Sequence, residues 1–416
     1  MRPALRLATL SALLAACAGD PATGSDIRSD KPRITSPDAT PDEIAAVAAA
    51  NTAFAVDLYH AVGARPGNLI FSPYSVSVAL TMTYAGARGR TAAEMADVLH
   101  VGLPDDRLHG AWNALDLALE SRGRGGAGED GGPFRLRVAN SIWGQLGFDF
   151  QRPFLDTLAE NYGAGLRGVD FAAAPEDARR SINAWVEDET EDRIPELLPA
   201  GVVTPDTRLV LTNAVYFNAA WKEPFDSDAT RDAPFHLQDG TTASVPTMHG
   251  MTLHPHAEGA GYQAVKLPYD GEELSMVVIV PDDLAAFEAA LTADALDAIL
   301  RSFSGGVQVT LPKLDFDTDL PLGSTLQEMG MADAFSSAAD FTGIAGGGGL
   351  AITDVVHKGF ITVTERGTEA GAATGVVVGI TSVPPTLAVD RPFLFVIRDE
   401  ATGAVLFLGR VVDPRA

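Results

Sequence analysis

The spacing of apolar residues predicts helices mainly in the first third of the chain. Residues 45–59 place their apolar side chains on one helical face, and residues 68–71 read as a short buried strand. A second helix should follow, because Ser72 is a good N-cap and Pro73 suits the first helical position. Residues 91–94 have the spacing of a capping box, which predicts the start of a third helix.

From residue 134 onward the pattern changes to apolar runs with the period of β-strands, interrupted by one predicted helix at residues 282–291. No stretch of linker composition follows residue 42. Residues 43–416 are therefore predicted to form one large α+β domain. The predicted strands are residues 135–143, 207–217, 274–280, 307–316, 352–364, 393–398 and 405–411.

The N-terminal pattern is typical of an exported protein. Residues 1–16 join a short basic start to an apolar run too short to span a bilayer, as in a secretory signal peptide. The run ends in LAAC, which resembles the lipobox of bacterial lipoproteins, so we expect a lipid on Cys17. Ordinary signal cleavage beside an incidental cysteine is the alternative. Residues 17–42 would then form the lipidated cysteine and a flexible tether.

This N-terminus predicts secretion across the inner membrane. The protein would then be lipid-anchored in the cell envelope, at the outer membrane or cell surface, or it would be extracellular. Because Cys17 is the only cysteine of the chain, no intramolecular disulfide is possible.

The overall charge of the chain makes several classes of binding partner unfavourable. Hydrophobic residues make up 46% of the 416 residues, enough for a large core, and the formal net charge is −25. Such an acidic surface argues against nucleic acid, heparin-like polyanions and anionic lipid as binding partners.

The catalytic and metal-binding motifs that we considered are either absent or lack the surrounding pattern that they need. The chain has no Gly-x-Ser-x-Gly nucleophile elbow and no His-Glu-x-x-His motif. His249, His254 and His256 share neither a helix face nor a strand face, so we expect no metal there. Residues 123–128 match a dinucleotide fingerprint without the strand and helix that it needs. The sequence therefore predicts neither an enzyme nor a cofactor.

Residues 365–382, ERGTEAGAATGVVVGITS, combine the properties of a loop and a strand. Their side chains are small, there is no proline, and there is no charge after Glu369. A segment so poor in anchoring groups predicts an exposed loop. From Thr374 onward, however, its valines and threonines are typical of a strand.

Several longer motifs give the chain a family resemblance over about residues 43–416. Residues 68–75, NLIFSPYS, and residues 213–221, NAVYFNAAW, resemble the early strand–helix motif and the central sheet motif of the serpin family. Residues 340–344, DFTGI, and residues 387–395, LAVDRPFLF, are similar to further serpin motifs in the same order. Asn218 departs from the family pattern, in which a lysine is common at that position.

The resemblance implies a serpin fold with three β-sheets, eight or nine helices and an exposed reactive loop, here residues 365–385. It also implies a monomer that traps serine proteases, or sometimes cysteine proteases. The protease attacks the loop and forms an acyl-enzyme, and the cut loop then inserts into the large sheet as a new strand. A non-inhibitory serpin that binds or supports structures at the cell envelope is the alternative.

The resemblance also assigns roles to residues of this chain. Counting from the hinge Glu365 places the attacked bond between Thr381 and Ser382, and a shift of one residue would place Ile380 on its acyl side. The implied hinge and insertion residues are Glu365, Gly367, Thr368, Glu369, Ala370, Gly371, Ala372, Ala373 and Thr374. The implied breach, where the loop enters the sheet, contains Glu365, Lys313 and Trp221. The implied shutter, the polar cluster under the sheet, contains Ser72, Ser75, Asn213 and His357.

The front of this loop has the alternation that a partly buried strand needs. Alternate residues of a strand share one face, and one face of this segment carries only small or β-branched side chains without charge. Glu369 falls on the opposite face, and no proline interrupts the hydrogen-bond ladder. The segment is therefore predicted to insert. The residues of the uncharged face are Thr368, Ala370, Ala372, Thr374, Val376 and Val378.

Replacing the single cysteine tests the predicted anchor. Cys17→Ser removes the thiol that would carry the lipid, so the variant should appear as a soluble or unprocessed form. Membrane fractionation and mass spectrometry of the N-terminus measure this change. Identical membrane association of both proteins would contradict lipidation at Cys17.

Overall fold

The computed structural model describes residues 25–368 and 385–415, and these form the α+β fold that the sequence predicts. The described part contains nine α-helices and seventeen strands. The helices are α1 Pro41–Gly63, α2 Pro73–Tyr84, α3 Gly89–Val98, α4 Asp105–Glu120, α5 Arg152–Tyr162, α6 Pro175–Glu189, α7 Leu284–Ala290, α8 Ala293–Arg301 and α9 Gly323–Glu328. The strands are β1 Ser25–Ile27, β2 Leu69–Phe71, β3 Arg135–Gln145, β4 Leu166–Val169, β5 Leu209–Ala220, β6 Arg231–His236, β7 Thr242–His249, β8 His254–Gly259, β9 Tyr262–Pro268, β10 Leu274–Pro281, β11 Ser304–Pro312, β12 Leu314–Pro321, β13 Asp354–Val363, β14 Gly367–Thr368, β15 Thr386–Ala388, β16 Phe393–Asp399 and β17 Val405–Val411.

The strands form two hydrogen-bonded layers. The first is a seven-stranded sheet in the order β1-β4-β3-β5-β14-β13-β12. The second has ten strands and contains two of the three expected sheets, which are joined through β11. One part of β11 pairs with β8, and its Thr310–Pro312 part pairs with β7. The expected three sheets are therefore present as one separate sheet and two that share a strand.

The seven-stranded sheet separates two apolar cores. One face of β5 contributes Leu211, Val215 and Phe217 to the main core, which also contains α2, buried along its length except at Tyr84. The other face contributes Val210 and Ala214 to a smaller core beneath α6. Because side chains of a strand alternate between the two faces, β5 can be buried on both sides and still serve two cores.

The middle of this sheet is closed at one end and open at the other. Five residue pairs join β5 and β13 directly in parallel, from Asp354 opposite Val210 to Lys358 opposite Ala214. Farther along, β14 lies between the two strands and runs antiparallel to both. The two strands thus separate as a wedge, and the start of the predicted loop already occupies the wide end.

The prediction of a flexible tether up to residue 42 is wrong for residues 25–42. Strand β1 pairs with the edge strand β4, and the backbone N–H of Ile34 donates to the carbonyl of Glu160 on α5 over 2.8 Å. Arg33 donates to Asn113 on α4 over 2.9 Å and forms ion pairs with Asp116 and Glu120. The segment before α1 is therefore part of the folded body.

Two local predictions fail for identifiable reasons. The capping box predicted at residues 91–94 is wrong, because α3 begins at Gly89 and Thr91 and Glu94 instead accept backbone N–H groups of the segment before β13. The single strand predicted over residues 307–316 is two strands in different sheets, β11 and β12, which meet at Lys313. By contrast, the predicted Ser72 cap is confirmed: its hydroxyl accepts the N–H of Ser75.

Within the described residues, α1 is the one helix whose length and apolar composition would allow it to cross a membrane. In this fold it is a core helix. It packs against α2, α4 and β17, and ten of its residues are buried.

Candidate functional site: the open end of the central sheet

The breach residues named from the sequence lie together at the open end of the wedge. Lys313 stands at the crossing from β11 to β12, and its Nζ lies 3.0 Å from Oε2 of Glu365. The Thr230 hydroxyl donates to the other carboxylate oxygen of Glu365 over 2.8 Å. Burial alone would raise the pKa of Glu365, but hydrogen bonds from its own backbone, Thr230 and Lys313 hold that pKa below its usual value.

Trp221 fixes the backbone of the turn that leads into the loop. Its backbone N–H donates to the carbonyl of Arg366 over 2.7 Å, and its indole N–H donates to the carbonyl of Thr364 over 3.0 Å. The indole also stacks on Tyr269 at 4.6 Å between ring centroids. The turn after β13 is therefore held from β5 by main-chain and side-chain donors together.

The hinge residues Gly367 and Thr368 already lie inside the sheet. Thr368 is 3% exposed, and its hydroxyl is 2.9 Å from the buried hydroxyl of Tyr269. A Cβ atom on Gly367 would lie 2.1 Å from the carbonyl oxygen of Ala219, so only glycine fits this approach. Of the uncharged face assigned from the sequence, Thr368 is the one member within the described residues, and it is buried.

The four shutter residues also lie together, under the closed end of the wedge. Nε2 of His357 accepts the backbone N–H of Ser72 over 2.9 Å, and His357 stands opposite Asn213 in the register. The hydroxyl of Ser75 and the amide of Asn213 both donate to Oδ1 of Asn140, over 2.6 and 3.4 Å. The cluster thus ties α2 to β3, β5 and β13, the strands on either side of the wedge.

Asn140 and Thr230 complete these two clusters, and the sequence analysis missed both. Asn140 is a polar residue within the alternating strand β3, and that break in the apolar pattern is a signal that could have identified it. Thr230 lies in a polar loop before β6, where its sequence carries no comparable signal.

The remaining sequence-derived sites lie elsewhere or outside the described residues. His249 ends β7 and His254 begins β8, and no group of three or more metal-ligating side chains occurs in residues 25–368 or 385–415. The attacked bond at Thr381 and Ser382, the lipidation site Cys17 and part of the insertion segment lie outside the described residues. These insertion residues are Glu369, Ala370, Gly371, Ala372, Ala373 and Thr374.

Protonation of His357 should destabilise the native state. Burial lowers the pKa of His357 to about 4, from 6.5, so between these pH values the unfolded chain binds a proton that the folded chain excludes. Stability should therefore fall as the pH drops through this window, by roughly 2 kcal/mol from this histidine between pH 7 and pH 4.5. Guanidinium unfolding at pH 7 and at pH 4.5 measures the loss.

The variant His357→Gln serves as the control, since His109 and His254 also have a pKa of about 4 and contribute in both proteins. The loss of stability between the two pH values should be smaller in the variant than in the wild type. Equal losses would mean that His357 is not among the groups responsible.

Known proteins are similar to this chain over nearly its whole length. The family model described as Serpin (serine protease inhibitor) matches residues 49–414. An uncharacterised serpin-like protein of Thermococcus kodakarensis is 40% identical over 370 residues, which cover 87% of this chain and 84% of that protein. The leukocyte elastase inhibitor of Bos taurus is 39% identical over 384 residues, covering 88% of this chain and 99% of the inhibitor.

Solved structures show the same architecture. The native state of tengpin, a thermophilic serpin, covers 94% of this chain and 100% of its own, with a TM-score of 0.83 and 26% identity. Serpin48 of the insect Tenebrio molitor covers 88% of this chain and 98% of its own, with a TM-score of 0.78 and 30% identity. With the wedge-shaped central sheet and the hinge at its open end, these matches show that the chain belongs to the serpin family and has the serpin fold.

Proposed function

We propose that this serpin is a covalent suicide inhibitor of serine endopeptidases. The observation that supports the proposal best is the position of β14, which enters between β5 and β13 antiparallel to both. A loop that continued along this path would become the central strand of the seven-stranded sheet. It would form hydrogen bonds with β5 and β13, which are now paired with each other at the closed end.

The existing register supports an inserted strand as long as β5. Gly367 lies opposite Ala220 and Thr368 opposite Ala219. Each further residue would move one position down β5, so ten more residues would bring Val378 opposite Leu209, the first residue of the strand. The inserted segment would therefore match the length of β5, and it would end where the uncharged face found in the sequence ends.

The two faces of the inserted segment would also match the two faces of β5. Residues directly opposite in an antiparallel pair share a face, so Ala370 and Ala372 would join Phe217 and Val215 on the main-core side. Small side chains there can enter a packed core without large displacement. Glu369 would fall on the other side of the sheet, away from the main core.

The energy available is comparable to the stability of an ordinary domain. Insertion would replace five parallel pairs by two antiparallel ladders, which are slightly more stable per residue. At about 1 kcal/mol for each new backbone hydrogen bond, ten residues would contribute on the order of 10 kcal/mol. Such a gain is sufficient to distort an enzyme that is attached to the moving end.

In the proposed reaction the serine oxygen of the protease attacks the carbonyl carbon of Thr381. The peptide bond to Ser382 then breaks, an ester to Thr381 remains, and the amino group of Ser382 leaves with a proton from the protease. A small β-branched residue on the acyl side fits elastase-like or subtilisin-like pockets better than a trypsin-like pocket, which requires a cation. The similarity to leukocyte elastase inhibitors supports this choice of target.

The location proposed from the sequence is compatible with this activity. We infer that Cys17 carries a lipid, which would hold the inhibitor on the outer membrane or cell surface of a bacterial envelope. The inhibitor would then act on proteases that reach the envelope from outside the cytoplasm.

Incubation with a panel of elastase-like and subtilisin-like proteases tests the function. The wild type should give an adduct that survives SDS and has the mass of the protease plus the inhibitor up to Thr381, because cleavage releases residues 382–416. Thr368→Arg should still be cut but should form little adduct, because it forces a charge into the main core where Thr368 is now buried.

Thr386→Arg is the matched control, because Thr386 is exposed on β15 and lies beyond the inserted segment. It should form adduct in the wild-type proportion. Cleavage of the wild-type loop without adduct, by every protease in the panel, would refute the proposed inhibition.

The residue on the acyl side can be tested by changing the specificity. Thr381→Arg supplies the cation that a trypsin-like pocket binds, so association with trypsin-like proteases should rise and that with elastase-like proteases should fall, each by at least about tenfold. Association rate constants for one protease of each kind measure the switch. An unchanged preference would place the attacked bond elsewhere.

A further inference from the structure

A glycine-rich segment, residues 123–133, lies against the hinge and has no part in the function described above. The backbone N–H of Ala220 donates to the carbonyl of Ala127 over 3.0 Å, and Ala127 in turn donates to Asp270 over 2.9 Å. The segment is thereby fastened to the end of β5 that also pairs with Gly367.

Asn218 on β5 holds this segment. Its side-chain carbonyl accepts the backbone N–H of Glu129 over 2.7 Å, and Asn218 is 1% exposed. A Cβ atom on Gly128 would lie 2.5 Å from the same oxygen, so this contact requires glycine at position 128. Asn218 and the glycine-rich segment thus fit each other.

The side chain of Glu129 reaches the hinge itself. It is fully buried, and one of its carboxylate oxygens accepts a hydrogen bond from the hydroxyl of Thr364, the first residue of the turn. Its Cγ lies so near Gly367 that a Cβ atom there would be 2.8 Å away. Glu129 therefore touches both ends of the turn that places the hinge in the sheet.

Burying Glu129 in this way lowers the stability of the fold, which is unexpected for a residue with only a structural role. Oε2 of Glu129 accepts no hydrogen bond from the described residues, and a buried carboxyl oxygen without a partner destabilises a fold. Burial raises the pKa of Glu129, although the Thr364 hydroxyl and the charges of Arg366 and Arg193 act in the opposite direction.

We propose that Glu129 is a positioning residue that keeps Gly367 and Thr368 between β5 and β13. Its effect on inhibition rests on the proposed function: a hinge already paired in the sheet can be extended one residue at a time. If the hinge left the sheet, insertion would first have to form a new nucleus. Hydrolysis of the acyl-enzyme would then compete more successfully with insertion.

Three variants distinguish loss of the hydrogen bond between Glu129 and Thr364 from general destabilisation of the fold. Glu129→Ala removes the acceptor of the Thr364 hydroxyl, Glu129→Gln keeps an acceptor of the same shape, and Asp130→Ala removes a neighbouring acidic side chain that instead pairs with Arg135. Glu129→Ala should raise the ratio of cleaved to trapped inhibitor about fivefold, which corresponds to about 1 kcal/mol. Glu129→Gln and Asp130→Ala should keep the wild-type ratio.

Hydrogen exchange of the peptide over residues 364–368 measures the hinge without any protease. Exchange should be faster in Glu129→Ala and unchanged in the other two variants. Should Glu129→Ala fail to fold, Thr364→Val removes the donor with little change of shape and should give the same two effects.

The two proposals can fail separately. Unchanged exchange in Glu129→Ala, or in Thr364→Val where that variant replaces it, would overturn the role of Glu129. Equal acceleration in Asp130→Ala would also overturn it, because the effect would then follow from charge alone. If the wild type trapped no protease, the proposed function would fail, and hydrogen exchange would still decide the role of Glu129.

Discussion

The five-pair parallel ladder between β5 and β13 is the contact on which the rest of this structure depends. It is short, and parallel pairing is slightly weaker per residue than antiparallel pairing. The native sheet is therefore complete enough to fold, yet it contains a seam that a better strand could replace. Both polar clusters lie along this seam. The shutter connects α2 to β5 and β13 at the closed end, and the breach lies at the open end. The smaller core under α6 covers it with Val210, Ala214 and Val356.

The open end is built from parts that are distant in sequence. Lys313 comes from the crossing between two sheets, Trp221 from the end of β5 and Glu129 from the glycine-rich segment. All three act on the four-residue turn from Thr364 to Gly367. A change in any of these elements can thus alter how firmly the hinge is held. In the proposed mechanism, control of the loop would consequently depend on the whole end of the sheet and not on the loop sequence alone.

Much of this could be predicted from the sequence, for physical reasons that also explain the misses. The apolar runs of β5 and β10 are strong signals because these strands are buried on both faces, whereas β13 alternates between buried and half-buried residues over most of its length. Strand β1 has only three residues, of which one is apolar, and its partner is far along the chain, so no local pattern could identify it. The burial of Glu129 has no signal in the sequence, because it depends on contacts with Asn218 and Thr364 that periodicity does not encode.

The row of the sheet that contains Ser25 has a consequence for an anchored inhibitor. Ser25, Gly168, Gly144 and Leu209 are successive partners across four strands, about 36 Å along β5 from the hinge end. In the proposed arrangement, a lipid attached ahead of Ser25 would thus lie near the end of the sheet opposite the hinge, and the hinge end would face away from the membrane. In the proposed mechanism Val378 would finish in that same row, roughly 19 Å from Ser25. Insertion would then move the bound protease from the end of the sheet farther from the membrane to the end nearer to it.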